Sequence, residues 1–164
     1  MPEFFSVLTP FLQPILLFFW ILLLSFFFAK VEIHIEGEHG WAESLPTWRI
    51  EKHWLLTLFW GGRPMTGYHA WVFSFMALVF HLPMFLTGEF AFSYELRILG
   101  SLTLFWVIED FFWFAFNPAY GLGKFFRREV KWHKLYILWL PHDYWIFLIV
   151  GSALVFCSYW FFRD

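Results

Sequence analysis

The chain has 164 residues, of which 60% are hydrophobic, 27% aromatic and only 15% charged, and its net charge is −2. Ordinary soluble domains carry about 25% charged residues, and a soluble fold of this size exposes too much of its chain to hide 26 Phe and 12 Trp. Lipid is therefore the main solvent, which excludes a soluble enzyme and a disordered chain, and the lack of a basic field excludes nucleic acid as a partner.

The first uncharged run extends from Phe4 to Ala29 and is closed by Lys30, long enough to span a bilayer, which takes about 20 residues. A cleavable leader would need a basic start and a shorter apolar core. The segment 4–29 is thus expected to be a retained helix, with Pro10 and Pro14 bending or delaying its first turns. After it, Val31 to Glu36 alternates apolar and polar residues, the pattern of an extended segment. Residues 47–60, TWRIEKHWLLTLFW, mix charges with tryptophan and end at Gly61-Gly62. They read as an amphipathic helix lying in the interface. Further spans are expected at 69–86, 96–116 and 141–162. Asn117-Pro118 stops the third, and Pro141 stands in the first turn of the fourth. No barrel alternation occurs. The expected fold class is all-α: a single polytopic membrane domain over 1–164, with four transmembrane helices and one interfacial helix.

Four spans put both termini on one side and the loops 30–68 and 117–140 on the other. Of the 11 basic residues, only Arg97 and Arg163 lie outside those loops. The positive-inside rule then puts the loops in the cytoplasm and the termini outside. The single cysteine, Cys157, allows no internal disulfide and no Cys-based metal cage, so its role is packing.

Polar side chains concentrate on the loop side. Six of the seven histidines, His34, His39, His53, His69, His133 and His142, belong there, together with Glu32, Glu36, Glu38, Glu43, Glu129 and Asp143. The sharpest signal is Glu109-Asp110 inside the apolar helix FWVIEDFFWF. A carboxyl at mid-span costs about 2.5–3.5 kcal/mol on insertion scales, so such acids face the bundle interior and mark an ion path, a proton relay or a metal site. They sit roughly 10–12 Å inside the helix end, and Asp110 shares a face with Asn117. The competing reading is a helix–helix clamp to His81, His69 or Arg97. His69 and His81 are roughly 18 Å apart along one helix and cannot share an ion.

Mixed carboxylate and imidazole donors without thiolate suit zinc, iron, manganese or magnesium better than copper(I), with zinc, iron or manganese the expected cofactor. The expected metal ligands are Glu38, His69, Glu109, Asp110 and His133. Glu36, His39, His142 and Asp143 are alternates or supports, and Glu109 and Asp110 are the catalytic carboxyls. Against this, Glu36 to Trp41 also reads as a solvated acidic loop, and His142-Asp143 as a simple helix start. No HExxH, CxxC, GxSxG, GxGxxG, desaturase histidine box or complete phosphate loop occurs, and Gly121 to Lys124 is only a fragment of the last.

The strings Gly40 to Trp48, Gly67-Tyr68-His69, Glu109 to Phe114 and Asn117 to Gly121 together resemble a group of small bacterial and archaeal integral membrane proteins. The resemblance covers 36–145. It implies a four-span fold and carries no activity.

Three functions compete. One is a metal-dependent enzyme that takes a lipid or other amphiphile from the membrane and uses an unliganded carboxylate as base. A second is a non-catalytic scaffold or accessory subunit, working as a homo-oligomer or in a larger membrane complex, whose buried acids are structural. A third is a small ion or proton transporter relaying through Glu109, Asp110 and His81, which the lack of inverted repeats disfavours.

Overall fold

The computed structural model describes residues 2–60, 62–133 and 135–161. Gly61 of the expected helix terminator, Lys134 of the basic loop, and Phe162 and Arg163 beyond the last helix lie outside them. In chain order the elements are α1 (Pro2–Glu36), β1 (Arg49–Ile50), α2 (Trp54–Trp60), β2 (Met65–Thr66), α3 (Gly67–Thr87), α4 (Phe92–Phe116), α5 (Gly121–Phe126), β3 (Tyr136–Ile137), β4 (Leu140–Pro141) and α6 (His142–Trp160). The chain is all-α and 69% helical. Four helices are long and apolar enough to cross a membrane: Leu12–Glu36 within α1, and the whole of α3, α4 and α6.

Two local expectations are corrected. Residues 31–36 are helical, not extended, because nothing at Lys30 interrupts the backbone ladder of α1. The helix stops at Gly37 instead, which takes φ +65° and returns its N–H to the Ile33 carbonyl at 2.9 Å, the left-handed cap that glycine suits best. The apparent alternation is thereby converted into a helical face: Glu32, Ile33 and Glu36 are buried while Val31, His34 and Ile35 are exposed.

The second correction concerns 47–60. Only Trp54–Trp60 is helical, because the residues before it are committed elsewhere. Arg49 and Ile50 pair antiparallel with Thr66 and Met65. The Trp48 carbonyl accepts the Gly67 N–H at 2.9 Å, and Thr47 Oγ1 accepts the Tyr68 N–H at 3.1 Å. The stretch thus satisfies the free N–H groups at the start of α3, which a helix here would leave unmet.

Helix α4 is the centre of the bundle: α6, α1 and α3 all pack on it, and among the described residues α3 and α6 make no extended contact with each other. Its crossing with α6 is close. A Cβ on Gly100 would stand 2.8 Å from the Gly151 carbonyl oxygen and 2.9 Å from the Val155 nitrogen. Small residues at this point let the two backbones touch, the usual means of helix association in lipid. The order of the spans brings the C-terminal ends of α1 and α4 and the N-terminal ends of α3 and α6 to the same end. There, Asn117 Nδ2 donates to the Gly37 carbonyl at 2.8 Å, tying the end of α4 to the end of α1. The segments between α1 and α3 and between α4 and α6 cap this end.

Candidate functional site

The extension of α1 past Lys30 creates the site. Glu32 and Glu36, one turn apart, project from the same face, and His69 enters from the first turn of α3. All three are buried, and one donor atom from each lies within 4.8 Å of the others. His69 Nε2 is 4.0 Å from Glu36 Oε1. That is too far for a hydrogen bond; four-coordinate binding at bond lengths of about 2.0–2.1 Å brings donors to about 3.3–3.4 Å, so the two side chains would close in by roughly half an ångström on an ion.

The ring of His69 is held on every side. Its Nδ1 meets Thr66 Oγ1 at 2.7 Å, and the same hydroxyl accepts the His69 backbone N–H at 3.2 Å as the N-cap of α3. One face stacks on Trp41 with centroids 4.1 Å apart. Trp41 in turn donates Nε1–H to the Pro64 carbonyl at 2.8 Å. Trp41 and Ala42 adopt φ +46° and +51°, a backbone region that costs non-glycine residues free energy. This turn aims the Ala42 N–H at the Glu36 carboxylate, which accepts it, so the strained turn orients the acid and the stacking ring together.

Glu109 completes this cluster from α4. Its carboxyl lines the same cavity as Glu32, Glu36 and His69. Glu109 Oε1 is buried without a partner. Such atoms are uncommon in folded proteins because each carries a desolvation penalty of about 1–3 kcal/mol, and they call for an explanation such as a bound ion.

A second network adjoins the first. Asp110 Oδ2 accepts from the Tyr144 hydroxyl and lies 3.2 Å from His133 Nε2. His133 Nδ1, unpartnered and buried, is 3.9 Å from Asp143 Oδ1, and Asp143 forms a buried ion pair with Arg63. Burial pushes the His133 imidazole below its ordinary pKa and outweighs the opposing pull of Asp110. A cavity of about 380 Å³ joins the two networks and is lined by Glu32, Glu36, His69, Glu109, Asp110 and Asp143 among others.

The structure therefore brings together only some of the residues singled out in the sequence. His69 and Glu109 line the cavity with Glu36, formerly an alternate. Asp110 also lines it, but its close partners are His133 and Tyr144. Glu38 and His39 lie on the exposed loop, 3.9 Å from each other, because Gly37 turns the chain away at the end of α1. His34 and His53 are exposed as well. The clamps weighed for the acids do not form with His81 or Arg97: His81 faces Glu95 at 3.4 Å, and Arg97 stacks over Tyr159 and meets Ser158. Sequence reasoning missed Glu32, Tyr68, Arg63 and Tyr144 as parts of the site. Glu32 had a usable signal, its one-turn spacing from Glu36.

Comparison with protein-family models, curated proteins and solved structures gave no match.

Proposed function

We propose that the protein is a metal-dependent membrane enzyme acting on a lipid or other amphiphile at the cytoplasmic interface. The observation that carries the reading is the buried triad Glu32, Glu36 and His69, whose donor atoms lie within 4.8 Å, beside an unpartnered Glu109 oxygen. Two carboxylates and an imidazole are a donor set for zinc, iron or manganese. A metal there supplies Lewis acidity toward water, oxygen or a substrate oxygen. Glu109, adjacent to the triad but outside it, is the general base in this proposal, and the free Oε1 is the atom that takes the proton. The basic bias of the capping segments supports their cytoplasmic placement, with both termini outside.

The test is elemental analysis and an optical spectrum of protein purified in mild detergent, wild type beside Glu36→Gln and His69→Ala. Near-stoichiometric metal in the wild type, lost in both variants while the helical signal is retained, is the expected result. Wild-type protein that is metal-free and takes up no added zinc, iron or manganese would overturn the reading. It would leave the buried acids to a scaffold or proton-transfer role.

A further inference from the structure

The cavity is polar at one end and apolar at the other. On α4 its lining runs from Glu109 and Asp110 to Leu102 and Thr103, about two turns or roughly 10 Å deeper into the apolar span. Phe73 of α3, which packs on Trp106, and Phe147 of α6 also line the cavity. Those two helices flank α4 without extended contact between them, so a slot lies over this face of α4. Leu99, one turn beyond Thr103, is 40% exposed, and the Thr103 hydroxyl is satisfied by the Leu99 carbonyl at 2.7 Å. The slot therefore presents no hydrogen-bonding demand of its own. The polar end is different: Trp41 and Trp132 of the capping segments and Trp113 of α4 bring aromatic bulk to it.

We infer that the substrate is a single-chain amphiphile that enters sideways from the bilayer, its chain in the slot between α3 and α6 and its polar head at Glu36 and His69. This rests on the proposed function only in taking the acid–histidine cluster as the reacting end. The occupant follows from the surroundings: within a spanning segment the solvent is acyl chain, so an apolar slot continuous with a polar pocket accepts a molecule with both parts. The cavity volume, about 380 Å³, is near the lower end of small-molecule sites, about 300–1,000 Å³. That favours one chain over two.

The experiment is photolabelling in mild detergent with a medium-chain fatty alcohol carrying a mid-chain diazirine, mapped by mass spectrometry. It is run on wild type, on Thr103→Trp, which fills the slot from a half-buried position, and on Ile149→Trp on the exposed face of α6. The expected result is labelling on residues 99–106, Phe73 or Phe147 that saturates, is competed by unlabelled alcohol, and falls several-fold in Thr103→Trp but not in Ile149→Trp. Labelling spread over the exposed faces of α1 and α3, with no saturable part on α4, would overturn the inference from wild-type protein alone. The readout does not need metal. Saturable slot labelling in metal-free protein keeps the slot and removes the metal reading, and metal with scattered labelling does the reverse.

Discussion

His69 Nε2 faces Glu36 Oε1 across 4.0 Å while the other nitrogen of the same ring rests 2.7 Å from Thr66 Oγ1. With the proton on Nδ1 donated to Thr66, the Nε2 lone pair points toward the gap, the arrangement in which a support fixes both tautomer and ring orientation. Thr66 also caps α3. Replacing it with Val should cost about 0.5–2 kcal/mol of stability through the lost cap. It should also weaken metal binding about 10–100-fold, the usual effect of removing such a support. Thr66→Ser should restore both. Competitive titration with a chromophoric zinc chelator reads the second effect separately from the first, and wild-type affinity in Thr66→Val would remove Thr66 from the site.

Glu109 separates ligand from base. Its Oε1 is buried and unpaired, but it does not belong to the triad. Glu109→Gln should keep the metal content of the wild type and lower turnover about 10²–10⁴-fold, the contribution typical of a positioned proton acceptor. Metal lost from this variant would make Glu109 a ligand instead.

The Arg63–Asp143 pair joins the segment before α3 to the first turn of α6, with both side chains less than 10% exposed. Removing one partner strands a buried charge, so Asp143→Ala should destabilise the fold by about 3–5 kcal/mol. Replacing both with apolar residues, Arg63→Met with Asp143→Leu, should recover most of that loss. Thermal unfolding in detergent of the two single variants and the double variant gives the comparison. A double variant as unstable as the worse single one would show that Arg63 has other indispensable partners.

Much of the architecture was legible because lipid imposes a simple rule: long apolar runs must be helices. The stop at Asn117-Pro118 and the four spans follow from that rule and from proline sterics. The site was less legible. Glu109 and Asp110 stand out by their cost in an apolar helix, and His69 by its position near a span end. Glu36 stood only among the alternates and Glu32 only among the loop-side acids, since an alternating hexapeptide after Lys30 fits a strand as well as a helix whose charged side chains find partners in other elements. Only the tertiary arrangement decides: the Ala42 N–H meets the Glu36 carboxylate, and Glu32 faces a cavity shared with α3 and α4. Glu38 was attractive by type alone. The left-handed turn at Gly37 takes it into solvent, and no composition argument registers a change of chain direction.

Asn117 shows how far the two helix ends depend on one side chain. Its Nδ2 donates to the Gly37 carbonyl at 2.8 Å, and its Oδ1 accepts the Ala119 N–H at 3.0 Å. It is 2% exposed, so water does not replace either bond. Asn117→Ala should therefore cost about 1–3 kcal/mol for the polar groups it strands, lowering the melting temperature by about 2–4 °C for each kcal/mol in a chain of this size. The same contact anchors the residue that follows Glu36, so loosening it should let Glu36 drift from His69 and weaken metal binding. Asn117→Asp, which keeps the Ala119 bond but cannot donate to Gly37, separates the two effects. If the inter-helix bond matters for the site, the Asp variant should lose metal affinity as fully as the Ala variant; unchanged affinity in both would confine Asn117 to ending α4.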